Sequence, residues 1–382
     1  RAWKGTGESL LRAVVEETLD LVRREMRASQ GGFYATQDAD VEGEEGKVYL
    51  WTPEEIREVL GEAADAFIQH YGVTEEGNFE GKTILTFSGS MDERAALSEA
   101  RQQLLASRQQ RPTPGRDEKV HVAWNGLMLA AFAEAGRVLQ RDDYLRAAEA
   151  NADFLLHELR DVDGRLRHVW IDGEAKVPGF LEDYSHLIEG LLALYQVTFE
   201  TRWYVAAQAL ADAMVEHFQA DVGFYDTADD AEDLIVRPRE VQDNATPSGN
   251  AMAATVLLKM ARFGDESAYE EIARESLASM QALMARHPLG FAQWLCALTD
   301  ALATPTEIAI VGEPNADATR ALLDVAQAGY HPHRLIAAGT GDVPALLEDR
   351  TQIEGQPTAY VCRKMTCLSP VTGVGALKGL LS

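Results

Sequence analysis

Over residues 8–27 the apolar positions Leu10, Leu11, Val14, Val15, Leu19, Leu21, Val22 and Met26 recur at three- and four-residue spacing with charges between them. That is the pattern of a helix with one buried face. It predicts further surface helices over 91–110, 142–159, 202–218 and 267–286. Between them lies a second kind of segment, poorer in charge and rich in Ala, Gly and Leu: "WNGLMLAAFAEAG", "GFLEDYSHLIEGLLALYQV", "TPSGNAMAATVLLKMARF" and "GFAQWLCALTDAL". A helix that is apolar or small nearly all round is buried on more than one side. Surface helices alternating with buried ones predict antiparallel hairpins in two layers, the inner layer lining a cavity. The expected fold is mainly α, an (α/α)6 toroid over residues 1–303, its first hairpin incomplete at the N-terminus.

Past residue 303 the pattern changes. Short apolar runs at 307–312, 333–339 and 358–363 read as buried strands, with a helix over 317–327, and predict a small β/α appendage over 304–382. A single glycine ahead of that helix lacks the Gly-rich fingerprint of a nucleotide site.

A repeat sits in the loops. "GGFYATQDAD" begins at Gly31 and "VGFYDTADD" at Val222, each just after a surface helix, and "DGRLRHVWIDGEAKVPG" between them carries two Asp-Gly turn signals and predicts a hairpin. Glycine lets the chain leave the helix and the aromatics pack beneath the loop, so the echo is read as scaffold. The acids that follow are expected to overhang the mouth of the cavity. Asp38, Asp40, Glu42 and Gly43 match the first half of a calcium loop, but its twelfth position is Tyr49, and no metal or cofactor is expected.

Charge narrows the partners. The 382 residues carry a formal net charge of −26, which repels nucleic acid and anionic lipid surfaces, so neither is an expected partner; a small-molecule substrate such as a sugar is, and an anionic ligand would need a local Arg cluster. No apolar run approaches the roughly 18 residues of a membrane span and no secretory signal is visible; a soluble, cytoplasmic protein is expected. Cys296, Cys362 and Cys367 are too few for a disulfide framework or a four-ligand zinc site, and the last two are expected to close the final strand. The chain opens on Arg1, and "RAWKGTGE" reads as the tail of a helix and a turn, so an upstream segment is expected.

The buried helices start where the long loops gather, so their N-termini and unpaired amides face one funnel. There, "PGFLEDYSHLIEGLL" places Asp183, His186 and Gly190 on one face at spacings of three and four, a polar stripe on a helix otherwise built to be buried. Asp183 is the candidate acid or base, with His186 and Glu182 beside it. Trp124 and Asn125 pair an aromatic plate with an amide, a combination suited to a sugar ring. Asp38, Asp40, Tyr184, Asp243, Asn244, Ser248 and Asn250 complete the expected binding residues, while Thr246 before Pro247 is expected to cap a helix.

The motifs "GGFYATQDADVEGEEGKVYLWTPEEI", "YGVTEEGNFEGKTIL", "AWNGLMLAA", "VPGFLEDYSHLIEGLLALY", "RPREVQDNATPSGNAMAA" and "AYVCRKMTC" resemble the C-terminal helical portion of YyaL-type thioredoxin-domain-containing proteins, related to the animal spermatogenesis-associated protein with a thioredoxin-like domain. The resemblance implies a six-hairpin toroid similar to that of glycosidases and N-acylglucosamine 2-epimerases, and a thioredoxin-like domain preceding it. No pair of histidines matching the epimerase pattern is evident from the sequence. Two readings follow: a carbohydrate-active enzyme, a sugar isomerase, epimerase or hydrolase, using cavity carboxylates; or a non-catalytic binding or scaffolding module serving a redox domain.

Overall fold

The computed structural model describes residues 1–232, 234–264, 266–363 and 366–381. The chain forms two compact units. The larger comprises Arg1–Gly7, Glu17–Phe33 and Lys119–Ser382, the smaller Glu8–Glu16 and Tyr34–Glu118. The division expected at 303/304 therefore falls inside the larger unit.

In the larger unit three hairpins follow one another: α1 (Val122–Leu139) with α2 (Asp142–Glu158), α3 (Leu181–Thr198) with α4 (Thr201–Phe218), and α5 (Gly249–Gly264) with α6 (Ser267–Arg286), then α7 (Ala292–Leu302). Inner helices pack on inner helices, α3 against both α1 and α5, and α5 against α7, while α2, α4 and α6 form the outer layer. The charge-poor helices are the inner ones, as their sequences require. Every residue of α3 from Asp183 to Tyr195 is buried. This is the two-layered α/α-hairpin class that the periodicity predicts.

The α1–α3 crossing is close. A Cβ added at Gly126 would fall 2.5 Å from the His186 carbonyl carbon, and one at Gly190 would fall 2.6 Å from the Gly126 carbonyl oxygen. Only glycine lets two helix backbones approach so far. The stripe of Asp183, His186 and Gly190 is thus pressed against α1, and the space beside Gly190 is filled by helix backbone.

The repeated aromatic loops are fastened by one device. Asn125 on α1 accepts the Phe33 N–H at 2.7 Å and donates to the Phe33 carbonyl at 3.0 Å. Asn250 on α5 accepts the Phe224 N–H at 2.9 Å and donates to the Glu240 carbonyl at 3.1 Å. Each loop also returns to the end of its outer helix through a single β-bridge, Arg27 to Phe33 and Gln219 to Phe224, and a third of this kind joins Arg160 to Leu166. Phe33 and Phe224 are buried. Asn125 and Asn250 therefore satisfy loop backbone inside the protein, where unpaired amides would be costly.

A three-stranded antiparallel sheet joins β1 (Val120–His121), just before α1, to β2 (Arg167–Ile171) and β3 (Glu174–Pro178), which follow α2, with His121 opposite Val169. Beyond α7 lie β4 (Thr306–Val311), α8 (Asp317–Gln327), β5 (Arg334–Gly339), β6 (Thr358–Arg363), β7 (Thr366–Cys367) and α9 (Val374–Leu381). The sheet order is β7-β6-β4-β5, with β4 and β5 parallel across α8. This appendage docks at the C-terminal end of α3: the Gln196 side chain accepts the Ile336 N–H at 3.3 Å, and Gln327 donates to the Gln196 carbonyl at 2.7 Å.

The smaller unit packs Pro53–Leu60, Ala64–His70 and Ser98–Arg108 around Trp51, Ile56, Phe67, Tyr71 and Leu104. The helix expected over 91–110 is interrupted at Leu97. Among the described residues no helix is long and apolar enough to cross a membrane.

Candidate active site

At the N-terminal ends of α1 and α3 three side chains form a line. Nδ1 of His121 lies 3.2 Å from Nε2 of His168, and Nδ1 of His168 lies 2.9 Å from Oδ2 of Asp183. His121 is the last residue of β1 and stands just before α1, and His168 belongs to β2. His121 and His168 are 47 residues apart in the chain and are brought near by the β1–β2 pairing. Asp183 also accepts the N–H of Phe180 at 2.8 Å and of Ala123 at 3.0 Å, tying together the starts of both helices.

This geometry places Asp183 behind His168. Its side chain is 0% exposed and both of its oxygens are engaged by backbone amides and His168. It acts on His168. Burial disfavours the charged imidazole, but the hydrogen bond and charge of Asp183, with the charge of Glu182, raise the His168 pKa above the ordinary histidine value. When His168 directs Nδ1–H to Asp183, its Nε2 is left to exchange one proton with His121 Nδ1.

Around this line stand groups suited to a ligand. Trp124 is 45% exposed, with its ring 4.8 Å from that of His121. Phe180 packs edge-on against His168 at 4.9 Å. Half-buried Glu182 is raised above the usual carboxylate range by burial first, then by the charge of Asp183, with Asp226 adding and His168 opposing. Asp226 is raised too, chiefly by burial. A base, an aromatic plate and carboxyls that hold protons to higher pH are the parts of a proton-transfer site.

The structure brings Trp124, Glu182 and Asp183 together and assigns the other expected residues elsewhere. His186 is buried at the α1–α3 crossing, near the carbonyls of Pro247 and Ala123 but outside good hydrogen-bonding geometry, and burial pushes its pKa down to about 4, so it is a neutral packing residue. The Tyr184 hydroxyl is turned inward, accepting from the Leu166 N–H at 2.9 Å and Arg165 Nε at 3.2 Å. Asp243 bridges the N–H of Ser248 at 2.9 Å and of Gln293 at 2.8 Å, joining the starts of α5 and α7. Ser248, not Thr246, caps α5 through the Ala251 N–H. Asn125 and Asn250 are the loop fasteners described above. Asn244 is exposed and accepts the N–H of its own neighbour, Ala245. Asp38 and Asp40 are exposed in the smaller unit, linked by an Asx turn from the Asp40 N–H to Asp38 at 3.0 Å.

Among the described residues one histidine–carboxylate group, His217, Asp229 and Asp230, has potential metal-binding atoms within 4.8 Å of one another, but Asp230 is held on both oxygens by Arg165.

No family model matches the chain. It is 30% identical over 438 aligned residues to human spermatogenesis-associated protein 20, the match covering 100% of this chain and 56% of that protein, and 29% identical to the rat protein with the same coverage. Among solved structures it is similar to a family 105 glycoside hydrolase from Clostridium acetobutylicum, 14% identical, TM-score 0.38, covering 69% of this chain and 71% of that one. A family 76 α-mannanase from Bacteroides thetaiotaomicron is 17% identical, TM-score 0.38, with 70% and 69% covered. A D-mannose isomerase is 14% identical, TM-score 0.35, with 78% and 72% covered. The chain spans about half the length of the curated relatives it matches, and spermatogenesis-associated protein 20 is what its sequence is similar to throughout.

Proposed function

We propose that the chain carries a proton-transfer site for a neutral sugar, with His121 as the base, His168 as its relay and Asp183 as the buried charge that holds the relay in place. The observation that carries this reading is the run of ring nitrogens and carboxylate at 3.2 and 2.9 Å beside an exposed tryptophan. His121 removes the proton from the carbon next to a sugar carbonyl. Glu182, which keeps its proton to higher pH than an ordinary carboxyl, gives it to the carbonyl oxygen. The two histidines touch one another and leave no space for substrate between them, so they act as one base. One base takes and returns the proton on one face, which favours aldose–ketose isomerisation over a two-base epimerisation or a two-carboxylate hydrolysis. Trp124 offers a plate for the ring, and the acidic surroundings disfavour phosphorylated sugars.

The test is exchange. Incubated in D2O with a panel of neutral aldoses and ketoses, the protein is expected to replace hydrogen at C2 with deuterium, read by proton NMR, and His121→Ala to abolish it. Absence of exchange with every sugar overturns the proposal.

A second reading, a non-catalytic module working with a thioredoxin-like domain in the cytoplasm, is favoured by one observation: the polar stripe of α3 is filled by α1 rather than open. It expects neither exchange nor thermal stabilisation by any sugar.

A further inference from the structure

We propose that the Cys362–Cys367 disulfide is a thiol–disulfide exchange site, assisted by Arg350, that accepts electrons from an external dithiol. The two cysteines are direct cross-strand partners on β6 and β7. They differ in access: Cys362 is 3% exposed, whereas Cys367 is an exposed residue on the edge strand. An incoming thiolate therefore meets Cys367 first. Nη2 of Arg350 lies 3.7 Å from both sulfurs. Its guanidinium is steadied by the Glu348 carbonyl at 3.3 Å and the Tyr360 ring at 5.8 Å. A neutral disulfide gains little from a cation. A thiolate gains a good deal, and a better-stabilised thiolate is the better leaving group.

The step balances as follows. A thiolate of the dithiol attacks Cys367 Sγ, the S–S bond breaks, and its electron pair goes to Cys362 Sγ beside Arg350. The second thiolate of the dithiol attacks its own sulfur in the mixed disulfide and expels Cys367. The dithiol leaves as a disulfide, oxidised by two electrons, and the two cysteines, now reduced, take up the two protons that the dithiol released. The site lies in the appendage and does not depend on the sugar reading.

The test uses the full chain and dithiothreitol as the dithiol, with alkylation of quenched samples followed by mass spectrometry. Cys296, exposed and unpaired, is the internal reference. Without denaturant Cys362 and Cys367 are expected to become labelled together, while Cys296 is labelled before and after. Arg350→Gln is expected to slow reduction about threefold to tenfold and Arg350→Lys to recover part of the rate. In the reduced wild-type chain the pair is expected to alkylate with a midpoint about one pH unit below that of Cys296, a readout that needs no variant. A disulfide that opens only in denaturant, equal rates in all three proteins, or a midpoint equal to that of Cys296 overturns the proposal.

Discussion

Nδ1 of His168 lies 2.9 Å from Oδ2 of Asp183, a carboxylate with no exposed surface. The contact raises the His168 pKa in the folded chain, so its contribution to stability is fully present below the unfolded histidine pKa and is lost as pH rises through the folded value. Asp183→Asn keeps an acceptor for the backbone amides and removes the charge. The His168 Cε1 proton, followed by NMR across pH 5–9, is expected to titrate at lower pH in the variant; an unchanged midpoint would show that the contact does not govern the relay.

His186 titrates in the opposite sense. Its folded pKa of about 4 lies below the unfolded histidine value, so between about pH 6.5 and pH 4 the unfolded chain binds the extra proton and stability falls as pH falls. The loss is about 1 kcal/mol per pH unit. In urea unfolding at pH 7 and pH 5, His186→Gln is expected to show a smaller drop than the wild type, and an equal drop would place the ring in water.

Asn125 makes hydrogen bonds to Phe33, His121 and Asn151. Asn125→Ala leaves several buried backbone groups unpaired, at about 1–3 kcal/mol each, and is expected to destabilise the chain by about 3 kcal/mol in urea unfolding. A loss under 1 kcal/mol would mean that water or a neighbour replaces the amide.

Gly126→Ala would set a methyl 2.5 Å from the backbone of α3. Helix backbone yields less than a side chain, so a loss of about 3 kcal/mol or more in thermal or urea unfolding is expected, with Gly190→Ala similar. Wild-type stability in both variants would contradict the close crossing.

Trp124→Ala removes a half-exposed plate and little core. If a sugar rests on it, KM is expected to rise about tenfold with the melting temperature almost unmoved. A fall in kcat at constant KM would instead place the indole in the chemistry, through His121.

The two helical layers could be read from the sequence because burial on several sides leaves a composition as well as a period: α3 and α5, taken together, are poorer in charge and richer in Ala, Gly and Leu than the outer helices. The strands β4, β5 and β6 were equally legible as short apolar runs between turns. The site was harder. Asp183 and Glu182 stand out as acids on a buried helix, but a helical face says nothing about what meets it, and Gly126 on another helix decides that. The pair His121 and His168 leaves no local signal, since one ends a two-residue strand and the other lies in a hairpin. Only strand register brings them together. The recurrence of Asn near the start of α1 and of α5, each matched to a Gly-Phe-Tyr loop, was the signal that could have separated fasteners from ligand residues.

Those two asparagines also divide labour within each loop. They anchor the root, at Phe33 and Phe224, and Asn250 also holds the far end of its loop at the Glu240 carbonyl. The fastening therefore runs through loop backbone and one helix side chain, and it places no demand on the loop side chains between the anchors.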